Sequence, residues 1–435
     1  MSKQSAQKLI DFLYESPSPA HHVLKVEETL LQGGFSPLKE DEKWHLEHGK
    51  KYYFKKNNSA LIAFKIGNAN IAKAGIRAIG AHTDSPGFRI KANPEMQTEK
   101  TYLKFNTEMY GGALAYTWFD RPLSIAGKVM VKGPTAFSPI TRLVNFKRPV
   151  LTIPSIAIHL NRDVNDKFGP NFQKDTLPLV SLVDETFERD GYLQKLLAKE
   201  LNISAEDVLG FELDLYAQEK GTLLGINEEF ISCQGLDDKW MVYAALQALL
   251  TSKNTEVTQM VIYADHEEIG SQSHNGAKSN FITHTLKRIA MALGVSEEGF
   301  YTMLSRLTVI SADLAHAVHP NAGDLHDPTN RPVLGGGPVL KVAASGSYST
   351  CATSAAIFRG ICKEAGIPFQ TLYNRSDIRG GSTIGPMTAA QLGIPVIDMG
   401  APLLAMHSIK ELASVEDHAL TMKFFQTFFD LMGAL

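Results

Sequence analysis

The stretch VIYADHEEIGS, residues 261–271, decides how this chain is read. A short β-branched and aromatic run, Val261–Ala264, is followed at once by Asp265, His266, Glu267 and Glu268. The run is too short and too β-branched to be the middle of a long helix, and it reads as a buried strand. The helical zinc-protease pattern H-E-x-x-H requires a histidine at position 270, where this chain has Gly270. Two adjacent glutamates at the end of a buried strand repel one another and lose solvation. Such groups persist when a metal or a catalytic task compensates them. The expectation is a strand that delivers both carboxylates into a crevice, as the carboxyl ends of strands do in open α/β sheets.

Outward from this stretch, other element ends carry similar groups. IRAIGAHTD ends in His82 and Asp84, and LTVISAD ends in Asp313. PLLAMHS places His407 just after an apolar run, and GLDDKW puts Asp237 at the start of a helix, where the backbone dipoles favour an anion. Together, His82, Asp237, Glu268, Asp313 and His407 form a nitrogen and oxygen donor set suited to Zn²⁺, with Co²⁺ or Mn²⁺ as substitutes. Five ligands exceed one open tetrahedral zinc but suit two ions if one carboxylate bridges. Ions so arranged sit ~3.5–4 Å apart and share a hydroxide. Glu268 is then a ligand, and Glu267 is free to act as general base towards metal-bound water and to pass the proton to a leaving amine. Asp84, two residues beyond His82 on the same side of the strand, holds the far imidazole nitrogen.

The chain has 435 residues, enough for two or three domains. With 44% apolar and 20% charged residues and a net charge of −3 spread along the chain, it has no basic face for nucleic acid. The N-terminal segment has no apolar core of signal-peptide length, and no apolar run is long enough for a membrane span. Cys233, Cys351 and Cys362 lack metal-type spacing and read as thiols in a reducing compartment. The default is a cytoplasmic protein. Residues 1–91 hold two helices, about 4–14 and VLKVEETLLQGG, and two strand-like runs. Residues 92–230 are rich in short β patterns such as TYLKFNTEMY and LSIAGKVMVKG, interrupted by one charged helix at about 184–200. From 231 to 435, helices and apolar strands alternate, and in the last helix Ser414 is an N-cap with Asp417 three residues on. The fold class expected is α/β: a central mixed sheet flanked by helices, formed by 1–91 and 231–435, with a β-rich dimerisation domain at 92–230 inserted into it.

The segments GAHTDSPGF, YGGALAYTWFDRPL, IHLNRDVNDKFGPN, GLDDKW, DHEEIGSQS, SADLAHAVHPN and LAMHSI occur in this order from about residue 80 to 410. As an ordered set they resemble the aspartyl aminopeptidases, co-catalytic di-zinc metallo-aminopeptidases. The resemblance implies that His82, Asp237 and Asp313 hold one zinc, that Asp237 bridges to a second held by Glu268 and His407, and that Glu267 is the base. It also implies two residues that spacing does not suggest. His159 would reach from the inserted domain into a neighbouring subunit's site, and Lys341 would favour an acidic substrate side chain. Its further implications are a tetrahedral dodecamer built from dimers and peptide substrates with a free N-terminus, preferably beginning with Asp or Glu. The chain departs from the family at GGALAY and at VAASGSYST, the latter bordering the specificity pocket.

A lone histidine in an apolar strand is more often a satisfied core residue than a ligand. That reading loses weight when five ligand-type residues sit at element ends of one α/β region. It is kept for His316 and His319. Asp238 reads as a helix N-terminal residue, and the Gly-rich RGGSTIGP, 379–386, as a tight turn feeding a helix, since it lacks a P-loop lysine. The alternatives to an acid-preferring aminopeptidase are one of neutral or broad specificity, a deacylase or carboxypeptidase-like enzyme on the same metal scaffold, and an assembling scaffold protein without chemistry.

Overall fold

The computed structural model describes residues 2–184 and 186–431. The strand read from residues 261–271 is Thr258–Ala264, buried at all seven positions. Strand periodicity explains how it serves two cores: Val261 and Tyr263 join one apolar cluster, while Met260, Ile262 and Ala264 join another. Each fully buried Val or Ile in such a strand stabilises by about 1.5–3 kcal/mol. It lies fourth in a nine-stranded mixed sheet. The order is Ser36–Pro37, Lys51–Lys56, Ala60–Lys65, Thr258–Ala264, Ile76–His82, Leu307–Ala312, Val396–Gly400, Val339–Lys341 and Gln370–Leu372. The four strands Thr258–Ala264, Ile76–His82, Leu307–Ala312 and Val396–Gly400 are mutually parallel. Helices Ser2–Tyr14, Pro19–Gln32, Leu236–Thr251, Ala352–Ala365 and Val415–Asp430 cover one face, and Phe281–Ala292, Glu297–Ser305 and Ile384–Leu392 cover the other. The α/β class expected from the alternating pattern is therefore observed.

A second, antiparallel sheet of six strands is drawn from between Gly87 and Ala217. Its order is Ile140–Asn145, Leu123–Val131, Val208–Ala217, Gly87–Thr98, Tyr102–Tyr110, Leu179–Leu182. Its own core of Phe88, Phe105, Ile125 and Trp118 is closed by Leu193, Leu197 and Leu201 of the helix Tyr192–Leu201. A third sheet, not expected from the sequence, joins Thr222–Leu224, Phe230–Cys233, Glu411–Ser414, Pro402–Leu404 and Ala315–His316. Its strands have two to four residues, too few to display a period.

Two local expectations need correction. The charged helix placed at about 184–200 starts at Tyr192. Before it, Asp184 folds back to accept hydrogen bonds from the backbone N and hydroxyl of Thr186, a turn that competes with helix. Residue 185 lies outside the described residues. In the last helix Ser414 does cap, accepting from Glu416 N at 3.1 Å. Asp417 does not complete a capping box; its carboxylate accepts from Gly335 N and Gly337 N of a neighbouring loop instead.

Candidate metal centre

The parallel register sets Ala264 beside His82, so the chain beyond Ala264 emerges next to the chain beyond His82. Leu307–Ala312 flanks Ile76–His82 on the other side and ends one residue before Asp313. Three neighbouring strand ends thereby deliver His82, Glu267, Glu268 and Asp313 to one crevice. Asp237 arrives from the start of the helix Leu236–Thr251, where its φ of −80° and ψ of 113° are non-helical and turn the side chain out of the helical run. His407 follows the strand Pro402–Leu404 in a turn where Ala405 and His407 have φ of 55° and 66°. Left-handed conformations of non-glycine residues cost about 1–3 kcal/mol and persist only where the surroundings impose them.

The ligand-type atoms fall into overlapping groups, each within 4.8 Å: His82, Asp237, Asp238 and Asp313; His82, Glu267 and Glu268; Asp237, Glu268 and His407. Asp237 stands between two imidazoles. Its Oδ1 is 3.6 Å from His82 Nε2 and its Oδ2 is 3.7 Å from His407 Nε2. His407 Nε2 is 3.4 Å from Glu268 Oε2. These separations exceed a good hydrogen bond, whereas donors ~2.0–2.1 Å from one tetrahedral ion lie about 3.3 Å apart.

The other imidazole nitrogens are committed elsewhere. His82 Nδ1 lies 3.2 Å from Asp84 Oδ1 and 3.1 Å from the Asp84 carbonyl oxygen. His407 Nδ1 lies 3.0 Å from the Gly112 carbonyl. A carbonyl only accepts, so His407 Nδ1 carries the proton and Nε2 offers a lone pair. Asp84 is fully buried and accepts four further-reaching contacts: from Glu267 N and His82 at Oδ1, and from Glu268 N and the Tyr110 hydroxyl, at 2.7 Å, at Oδ2.

The electrostatics call for cations. Burial, reinforced by neighbouring carboxylates, pushes the Glu267 carboxyl up to about 8 and that of Asp313 up to about 6. It raises Glu268, Asp238 and Glu411 well above the carboxylate range. Asp84 goes the other way: burial opposes ionisation, but its bonds to His82, Tyr110 and Glu268 hold it at about 2. Asp237 Oδ1 and Asp238 Oδ1 are buried without a hydrogen-bond partner. Orphaned carboxylate oxygens, excess buried negative charge and two correctly oriented imidazole lone pairs fit zinc and its neighbours in the first transition row.

Lys341 and His159 lie outside these groups. Lys341, 3% exposed, sets its ammonium 3.5 Å from Asp313 Oδ2 and 5.5 Å from the Tyr348 ring centroid. Burial works against its charge, but the Asp313 carboxylate beside it raises its pKa. His159 sits in the exposed turn Ile158–Leu160, among the segments between the strands of the second sheet. Several neighbours escaped sequence reasoning. Asp238, read as an ordinary helix residue, accepts from His82 N at 3.1 Å. Glu411 accepts from Asp237 N and His407 N, both at 2.9 Å, and so fixes the backbone of two ligand-type residues. Its strand of four residues gave no signal. His316 keeps an exposed edge, yet the surrounding protein and then the Lys341 charge hold its pKa at about 4.

Comparison with known proteins agrees with this geometry. The family model described as "Aminopeptidase I zinc metalloprotease (M18)" matches residues 12–429. The "Probable M18 family aminopeptidase 2" of Clostridium acetobutylicum is 50% identical over 426 residues, 98% of each chain. Among solved structures, a chain of the cryo-EM structure of the Ape4 and Nbr1 complex superposes with a TM-score of 0.94 at 36% identity, covering 98% of this chain and 86% of that one. The S. cerevisiae mApe1 dodecamer gives 0.85 at 29% identity, covering 98% and 96%. With strand ends that converge on a zinc-type donor set and a family match over nearly its whole length, the chain belongs to the M18 family of zinc metallo-aminopeptidases.

Proposed function

We propose that this M18 aminopeptidase works with two zinc ions and removes N-terminal residues, preferring Asp and Glu. The observation that carries the two-ion reading is Asp237, whose two oxygens face two different imidazoles at 3.6 and 3.7 Å. In this reading His82 and Asp313 complete one ligand set, Glu268 and His407 the other, and Asp237 is shared. Bound zinc supplies Lewis acidity, which eases ionisation of water and polarises the scissile carbonyl. Co²⁺ or Mn²⁺ would serve in the same donor set.

The chain's own groups do the rest. Glu267, desolvated and ringed by carboxylates, takes the proton of the attacking water and gives it to the departing amine. Asp84 orients His82 and fixes the amides of both glutamates. The substrate's free α-amine is positioned beside the Glu268 carboxylate. Lys341 and Tyr348 line the pocket for the first side chain, where the ammonium favours an acidic one.

His159 is proposed to complete a neighbouring subunit's site. Its exposed turn, next to the exposed apolar side chains Ile158 and Leu160, supports a role between subunits. The inserted unit, 92–230 in the division drawn from the sequence, is proposed as the dimerisation module of a tetrahedral dodecamer, with the dodecameric neighbour as support. No helix among the described residues is long and apolar enough to cross a membrane. A cytoplasmic location accords with that and with the free cysteines Cys233, Cys351 and Cys362.

A second reading, an aminopeptidase of neutral or broad specificity, is favoured by one observation. The Lys341 ammonium already faces Asp313, which offsets its charge towards a substrate. The test is kcat/KM on Asp-, Glu-, Leu- and Lys-peptides and on an N-acetyl-Asp peptide with zinc-loaded protein. Preference for Asp and Glu that collapses in Lys341→Met, with the blocked peptide untouched, is the expected result. Preference for Leu or Lys transfers the conclusion to the second reading. Turnover of the blocked peptide alone refutes aminopeptidase action.

A further inference from the structure

The α/β unit does not build the crevice alone. Where the strand Tyr102–Tyr110 of the six-stranded sheet ends, the segment Tyr110–Leu114 lies against it. Gly112 O accepts the His407 Nδ1 proton at 3.0 Å, and Leu114 N donates to His407 O at 2.9 Å. The imidazole of His407 is thus oriented from one end, and its backbone from the other, by residues of the second sheet's connection. Gly111 packs directly on Glu268. A Cβ at Gly111 would lie 3.1 Å from Glu268 Cβ and 3.4 Å from Glu268 O, and its φ of +66° also disfavours any side chain. A little further on, Thr117 Oγ1 accepts from Ile409 N, two residues past His407.

The other half of the site is supported differently. His82 N is held by Asp238, and Asp313 N by Met399 O, both within the α/β unit. Among the described residues, the hydrogen-bond link from Tyr110–Leu114 to that half is indirect. The Tyr110 hydroxyl reaches Asp84, with its ring held under the Arg89 guanidinium at 4.1 Å. Direct contacts therefore fall on Glu268 and His407, and an indirect one on His82.

We infer that Gly111–Leu114 is a collar by which the inserted β-rich unit positions the Glu268 and His407 side of the centre, so that this segment governs occupancy of that half and not of the His82 and Asp313 half. The inference rests on the two-ion reading above. Gly111, Gly112 and Leu114 are positioning residues, acting through the atoms they orient. Disturbing groups that orient metal ligands lowers metal affinity by about 10–100-fold. Here that loss should be confined to one of two binding steps.

The test is Zn²⁺ titration of chelator-stripped full-length protein by calorimetry, with Co²⁺ absorption in the visible as a second readout. Glu268→Ala and His82→Ala identify which step belongs to which half. Gly111→Ala is expected to weaken, by about 10–100-fold, the step that Glu268→Ala abolishes, leaving the step that His82→Ala abolishes unchanged. Leu114→Pro is the milder variant and carries the test if Gly111→Ala does not fold. Its φ of −74° already suits the ring, and it removes the N–H given to His407 O. The same selective weakening is expected of it. Equal weakening of both steps, weakening of the His82 step, or no change in either variant overturns the inference. Uptake of a single ion by the unsubstituted protein is a different result: it overturns the two-ion reading, and the inference with it.

Discussion

Replacing Asp84 by Asn tests the centre where it is most densely connected. The carboxylate is ionised, with its pKa held at about 2, and it is fully buried. Every contact made to it is from a donor: His82 Nδ1 and Glu267 N at Oδ1, the Tyr110 hydroxyl and Glu268 N at Oδ2. An amide has one acceptor oxygen, so its NH₂ must face two of these donors. The less costly rotamer points NH₂ at Tyr110, whose hydroxyl turns to accept, and leaves Glu268 N–H opposed. One buried unsatisfied donor costs about 1–3 kcal/mol of stability. The ring of His82 keeps its orientation because Nδ1 still has the residue 84 carbonyl at 3.1 Å. What it loses is the negative charge that makes it a better donor, and zinc affinity should fall about 10–100-fold. The assays are competition for Zn²⁺ with a chromophoric chelator, kcat at saturating metal, and the urea midpoint. Wild-type metal affinity together with a wild-type midpoint would show that the four donors do not need a carboxylate, and would refute the reasoning.

Two other outcomes follow from named groups. Glu267→Gln should keep its zinc and fall about 10²–10⁴-fold in kcat, the usual loss when a general base is removed. Near-normal turnover in a metal-replete variant removes Glu267 from that role. The buried His418 accepts the Trp240 indole N–H at Nδ1, 2.9 Å away, so it is neutral, and burial holds its pKa at about 4 against the ordinary 6.5. A depressed pKa gives stability that is complete above pH 6.5 and lost as pH falls towards 4, on the order of 3 kcal/mol in total. Urea midpoints between pH 7 and 5 should therefore fall more steeply for the wild type than for His418→Gln, and equal slopes contradict the assignment.

What could be read from the sequence follows the length scale of the physics. The parallel strands are buried on both faces, so Thr258–Ala264 ends in the unbroken apolar run Met260–Ala264 and Leu307–Ala312 is mostly apolar, and the charged residues just beyond them stand out. That contrast gave the α/β class and drew attention to His82, Glu267, Glu268 and Asp313, which the structure brings to one crevice. Pairings between remote short segments left no such trace. Glu411 looks like any acid beside a lysine until its strand places it under Asp237 and His407. Tyr110 looks like the end of an alternating strand, and its hydroxyl finds Asp84 only in three dimensions. Asp417 stands where a capping box would want an acid, yet two loop amides at Gly335 and Gly337 claim it. Local pattern sets elements, and tertiary contacts decide which polar side chains serve them.

The third sheet bears on when the enzyme can exist at all. Phe230 pairs with Ser414 and Cys233 with Glu411, so the strand that carries Glu411 is seated only after chain segments far apart in sequence have met. Glu411 in turn fixes the amides of Asp237 and His407. Contacts of such long range carry a loop-closure cost that must be met before they contribute, and they slow folding. Until they form, the chain carries scattered imidazoles and carboxylates and no peptidase. An enzyme whose substrates are chain ends therefore has no assembled site until these distant segments have met.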